Sequence, residues 1–177
     1  MAAVVTPTKL AHLVFRTANL EVARNWWCTV LGARVVFANP FLAFLTYDDE
    51  HHRIALLQLP GLAPRPDGPS IGLEHVAFTY PSLGDLLGTY ERLKAGGITP
   101  YWCINHGPTT SMYYRDPDGN QVELQIDNFP TVEELNEWFQ SGAFAQNPIG
   151  VEYDPERLLA RFRRGDLVGE LVQQGSA

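Results

Sequence analysis

Hydrophobic and polar positions along the chain change period in a set order, and the order occurs twice. Residues 9–16 (KLAHLVFR) alternate, with His12 and Val14 on one face and Leu13 and Phe15 on the other, as a strand requires. A helical period follows over 20–31. There Val22, Trp26 and Val30 join Leu20, Ala23, Trp27 and Leu31 in a broad apolar stripe, with Asn19 placed as N-cap and Gly32 as terminator. Three strand-like runs come next, over 33–38, 41–47 and 52–59. Residues 61–72 are rich in proline and glycine and read as a linker of about a dozen residues. The series then returns: a strand over 73–80, a helix over 83–95 between Ser82 and Gly96-Gly97, and strands over 99–105, 111–115 and 121–127.

Set side by side, AHLVFRT and EHVAFTY each hold a histidine followed by the same alternation, just ahead of a helix. This is an internal repeat of about 60 residues, too few copies for a solenoid. It fits an α+β fold of paired βαβββ modules, about 8–60 and 72–127, whose strands curl into a mixed-sheet cup. Beyond Asp127 the pattern turns helical. TVEELNEWFQ (131–140) carries a capping box at Thr131 and Glu134, and 155–164 is a short helix with a basic end. Its Arg161, Arg163 and Arg164 read as a solvated face, and the last ~8 residues as frayed. With this helical extension over 130–170, the whole of 1–177 reads as a single domain.

Composition narrows the function. The 177 residues are 45% hydrophobic and 11% aromatic, which is enough for a packed core, and the net charge of -7 argues against nucleic-acid or anionic-membrane partners. Cys28 and Cys103 sit in apolar patterns and read as small buried hydrophobes of a reducing compartment. No basic-then-apolar leader and no long apolar run is visible, so the expectation is a cytoplasmic protein.

The chemistry begins with residues 111–125 (SMYYRDPDGNQVELQ), a hairpin around the turn Asp116-Pro117-Asp118-Gly119-Asn120. Its second strand puts Gln121, Glu123 and Gln125 on one face and Val122, Leu124 and Ile126 on the other. A carboxylate in mid-strand needs a partner, either water or a metal ion. Of the five histidines, His12 and His75 fall at equivalent places in the two repeats. If the first strands meet at the centre, His12, His75 and Glu123 form the two-histidine, one-carboxylate face that holds Fe(II) with open positions. Matching the last strands of the modules sets Glu123 against Ala55, and neither neighbour of Ala55 could ligate after a one-residue slip. The site therefore has three protein ligands.

These residues resemble the vicinal-oxygen-chelate superfamily, also known as the glyoxalase fold, and within it the single-domain type I extradiol catechol dioxygenases. The resemblance rests on HHRIALLQLP (51–60), on His75 fifteen residues before Tyr90, and on SMYYRDPDGNQVEL, and it covers roughly 9–127. It implies Fe(II), with Mn(II) as the alternative, held by His12, His75 and Glu123. It also implies His52 as acid–base residue, Tyr113 as the hydrogen-bond partner of a substrate oxygen, and His106 as a further active-site histidine. His51 receives no role. The implied reaction is extradiol cleavage of a catecholic ring with O2, with homo-oligomerisation open. The alternatives are a non-redox metal isomerase, lyase or transferase of the same superfamily, of which a glyoxalase-type isomerase would be favoured by a fourth ligand that Ala55 does not supply, and a metal-free binding protein, against which the three ligands argue. Phe41, Phe44, Trp102 and Met112 are candidates to line an aromatic pocket. If His52 lay on the same strand as Ala55 it would face away from the metal, so it is expected at a bulge or in the preceding loop.

Overall fold

In the computed structural model each repeat becomes its own unit. Residues 3–66, 68 and 71–177 are described; Asp67, Pro69 and Ser70 of the expected linker lie outside them. The first unit comprises residues 1–70 together with Asp116–Gly119, and the second comprises 71–115 and 120–177. The fold is α+β, with one mixed sheet in each unit.

The first unit runs β1 (Leu13–Arg16), α1 (Leu20–Leu31), β2 (Arg34–Ala38), β3 (Leu42–Thr46) and β4 (Ile54–Leu57). Its strand order is β1-β4-β3-β2, with β1 and β4 parallel and the other pairs antiparallel. Helix α1 starts where Asn19 accepts from the Val22 amide, and it ends at Gly32, whose φ of 64° lies in the left-handed region. It lays Leu20, Ala23, Trp27 and Val30 against β3 and β4, where Leu45, Ile54 and Leu56 are buried. Each fully buried Leu or Ile contributes roughly 1.5–3 kcal/mol, an upper range because unfolded chains are themselves compact. Trp27 lies wholly in this core and satisfies its indole N–H by donating to Asp116 Oδ2 at 3.3 Å.

The second unit repeats the order as β5 (His75–Thr79), α2 (Leu83–Ala95), β6 (Trp102–Asn105), β7 (Thr109–Arg115) and β8 (Gln121–Asp127). The extension follows: α3 (Val132–Gln140), α4 (Ala143–Gln146), β9 (Val151–Glu152), α5 (Pro155–Arg164) and α6 (Val168–Leu171). The sheet order is β5-β8-β7-β6-β9, so the extension adds a strand to the edge of the module. Val122, Leu124 and Ile126 of β8 turn into the core beneath α2, as their alternation requires. Helix α5 buries Leu158 and Leu159. It docks on α2 through Glu156, which accepts from both Tyr90 and Lys94, and through the Arg163–Glu91 pair.

Three details depart from the periodic reading. The three arginines at the basic end of α5 are ion-paired as well as solvated: Arg161 and Arg164 with Asp166, Arg163 with Glu91. The chain end is tied down rather than frayed, since Gln174 donates to the Asn105 carbonyl at 3.1 Å and Arg161 donates to the Ser176 carbonyl. Strand β9 and the short helices α4 and α6 carry too few residues to show a period. Both cysteines are free thiols, and burial pushes Cys103 up to about 12, which makes it inert. Among the described residues no helix is long and apolar enough to cross a membrane.

Candidate active site

The two sheets have equivalent registers, rung by rung. In the first unit Val14, Ala55, Phe44 and Phe37 lie in register across β1, β4, β3 and β2. In the second, Ala77, Glu123, Tyr113 and Trp102 occupy the same row across β5, β8, β7 and β6. Ala55 and Glu123 are therefore true counterparts, with no slip between them. Two residues before Val14 stands His12, and two before Ala77 stands His75, so the histidines are counterparts as well. Because strand side chains repeat with period two, His75, inside β5, shares the face of its row, while His12 directly precedes β1.

Within the second unit the row is a polar cluster. Glu123 is only 4% exposed, and its Oε2 lies 3.0 Å from His75 Nε2. The His75 and Tyr113 rings meet edge-on with centroids 5.4 Å apart. The Tyr113 hydroxyl is 3.0 Å from His106 Nε2, and the other His106 nitrogen, Nδ1, contacts the Ile149 carbonyl at 2.5 Å. Burial holds the Tyr113 hydroxyl well above the usual phenol value, reinforced by the charge of Glu123 and a hydrogen bond to it, so the phenol stays protonated at neutral pH. Trp102 stacks obliquely on Tyr113 at 4.9 Å, forming an aromatic wall beside it.

Within the first unit His12 directly precedes β1, and His52 lies in the loop ahead of β4, which starts only at Ile54. The loop removes the parity conflict that a strand position would impose on His52. The His52 ring stacks on Phe44 at 4.3 Å and 7°, and lies 4.3 Å from the His12 ring. Burial lowers the His52 pKa below the ordinary imidazole value, and His12 and His51 lower it further, so the ring is neutral at pH 7. His51, to which the sequence assigned nothing, completes a trio with His12 and His52 whose ligand atoms all lie within 4.8 Å of one another. The adjacent pair His51-His52 was its only signal in the sequence.

Not every expected pocket residue serves one. Met112 points to the opposite face of β7 from Tyr113 and is fully buried in the core, beside the Tyr114 hydroxyl. Phe41 is exposed just before β3, while Phe44 and Trp102 belong to the two rows.

The donor set fits a metal ion. Two ligand atoms each about 2.1 Å from one ion and at right angles to each other are separated by about 3 Å, which is the His75–Glu123 spacing. A buried carboxylate needs a positive partner, and the row around Glu123 contains neither lysine nor arginine. Imidazole and carboxylate donors suit Fe(II), Mn(II) or Zn(II).

Comparison with known proteins follows the same lines. The Glyoxalase/Bleomycin resistance protein/Dioxygenase superfamily matches over residues 9–124. The chain is 51% identical over 148 residues to biphenyl-2,3-diol 1,2-dioxygenase 2 of Rhodococcus globerulus, covering 83% of this chain and 77% of that protein. It is 45% identical over 174 residues to biphenyl-2,3-diol 1,2-dioxygenase 3 of the same organism, covering 98% and 91%. A glyoxylase/bleomycin resistance protein/dioxygenase domain from Frankia sp. EAN1pec superposes with a TM-score of 0.58 at 19% identity, over 69% of this chain and 99% of that one.

Proposed function

The chain belongs to the Glyoxalase/Bleomycin resistance protein/Dioxygenase superfamily, and from that premise we infer that it is an extradiol ring-cleaving dioxygenase acting on an aromatic 1,2-diol with O2. The observation that carries the reading is the substituted row of the second unit: Glu123 and Tyr113 stand where the first unit has Ala55 and Phe44, and His75 lies 3.0 Å from Glu123. His12, His75 and Glu123 are the metal ligands in this reading, and the metal is Fe(II). When bound, it supplies a chelating position for both diol oxygens and a route for electrons from the ring to O2.

The protein's own residues do the rest. Three ligands, with Ala55 in place of a fourth, leave coordination positions for substrate rather than for protein. His52, held neutral, accepts a proton from a diol hydroxyl and can return it later in the reaction. Tyr113 hydrogen-bonds a substrate oxygen and fixes its orientation, so that the ring arrives in a single pose. Phe44 and Trp102 supply apolar surface for an aromatic ring, and biphenyl-2,3-diol, the substrate named for the two Rhodococcus relatives, heads the list of diols to try.

The test is turnover under ¹⁸O₂. Protein loaded with Fe(II) without air is offered a panel of catechols, and the ring-opened yellow product is analysed by mass. Both oxygen labels are expected in the product, apart from exchange with water. A product free of label, or an activity indifferent to O2, would overturn the dioxygenase reading.

A further inference from the structure

We propose that residues 147–150 of the C-terminal extension are a positioning device for the reaction: the Ile149 carbonyl holds His106 in the tautomer protonated on Nδ1, which makes Nε2 an acceptor for the Tyr113 hydroxyl. The inference rests on the reading above, in which Tyr113 meets a substrate oxygen. A carbonyl can only accept, so the ring nitrogen 2.5 Å from it must carry the hydrogen. Neutral imidazole has one N–H, and Nε2 is left with its lone pair facing the Tyr113 hydroxyl at 3.0 Å. Glu123 also lies within hydrogen-bonding reach of that phenol. Of the two, His106 Nε2 is the acceptor to which the structure gives the Tyr113 hydroxyl a hydrogen bond, at 3.0 Å. The single phenolic proton then points to His106, and the Tyr113 oxygen presents its lone pairs to a substrate hydroxyl.

The extension is built to hold that carbonyl still. Asn147 brackets Ile149: its Nδ2 donates to the Gly150 carbonyl at 2.7 Å, and its Oδ1 accepts from the Gly150 amide at 3.0 Å. Gly150, at φ 112°, lies so close to the end of β6 that a Cβ there would sit 2.3 Å from the Asn105 carbonyl oxygen. Across the same loop, the Trp138 ring of α3 covers Gly107 so closely that a Cβ would meet it at 2.4 Å. Val151 and Glu152 then pair with β6, so the segment carrying His106 is clamped on both sides. The extension therefore acts on the site through His106.

Nitrogen-15 NMR of the imidazoles in the metal-free, full-length chain reads the tautomer directly, with the His106 signals assigned by their loss in His106→Gln. The expected result is Nδ1–H in the wild type. In Asn147→Ala a mixture with Nε2–H should appear, with kcat about tenfold lower, the low end of what orienting partners contribute. KM and iron content should stay within about twofold. Asn147→Asp keeps the acceptor for the Gly150 amide and should fall between the two. Wild-type His106 found protonated on Nε2, or an Asn147→Ala protein with unchanged tautomer and rate, would overturn the proposal. The tautomer is read without turnover, so a chain inactive on every catechol would remove the dioxygenase reading while leaving the tautomer result to stand by itself.

Discussion

The two modules share a backbone and differ in one row of side chains. Val14–Ala55–Phe44–Phe37 in the first unit corresponds to Ala77–Glu123–Tyr113–Trp102 in the second, position for position. One row is apolar, while the other holds a buried carboxylate and a buried phenol. The edges differ as well. In the first sheet β2 is the terminal strand and every residue of it is exposed, including Val35, Val36 and Phe37. In the second, the counterpart β6 is covered by β9 and braced by the extension. The lesson is that chemistry was not added to this fold as a new element. In the reading proposed here it lies in a few residues along a row that the strand register aligns, in the module whose edge is supported.

Erasing the difference at its centre should have the largest effect. Glu123→Ala gives the second row the first row's residue, and His12→Ala or His75→Ala removes an imidazole at a counterpart position. Each should lose bound iron and activity together, by more than the roughly 10–100-fold that loss of an outer partner costs. Elemental analysis alongside turnover checks this; an iron-replete, active Glu123→Ala protein would refute the ligand assignment. The first unit's own contribution comes next. His52→Gln should keep iron bound yet slow kcat by roughly 10²–10⁴-fold if it moves the proton. Normal turnover would deny His52 that role.

A narrower change sharpens the comparison. Tyr113→Phe converts the second row to the first row's aromatic, as in Phe44, and removes one oxygen only. Iron content should hold while kcat falls by about 10²-fold, the scale of a lost hydrogen-bonding group at a reacting oxygen. The smallest effects are in stability and contrast the braced edge with an open turn. Gly150→Ala meets the Asn105 carbonyl and a strained φ, and should cost roughly 2–3 kcal/mol. Gly32→Ala, at φ 64° with open space around it, should cost only about 1 kcal/mol. Urea midpoints would rank the two, and equal losses would mean that the β6 edge is not clamped.

Much of this molecule is legible in its local sequence. Helix α1 spans Leu20–Leu31 between Asn19 and Gly32, α2 spans Leu83–Ala95 after Ser82, and β8 spans Gln121–Asp127, all as periodicity and caps indicate. These features are legible because a period and a cap involve residues only a few positions apart. The equivalence of His12 with His75, and of Ala55 with Glu123, was also readable, since a duplicated module repeats its register. Other features depended on distant partners. Whether His52 lay on β4 or before it turned on where the ladder with β3 begins. The end of the chain reads as frayed from composition, yet Gln174 finds the Asn105 carbonyl 69 positions away. The Ile149 carbonyl reaches His106 across 43 positions, through a two-residue strand with no pattern of its own. The sequence by itself determined the longer elements and the duplication, because these follow from short-range sterics and a repeated pattern. Only the tertiary structure decided which nitrogen of His106 carries the proton and what holds it there, because a main-chain carbonyl is common to every residue and acquires a role only from the neighbour that folding brings to it.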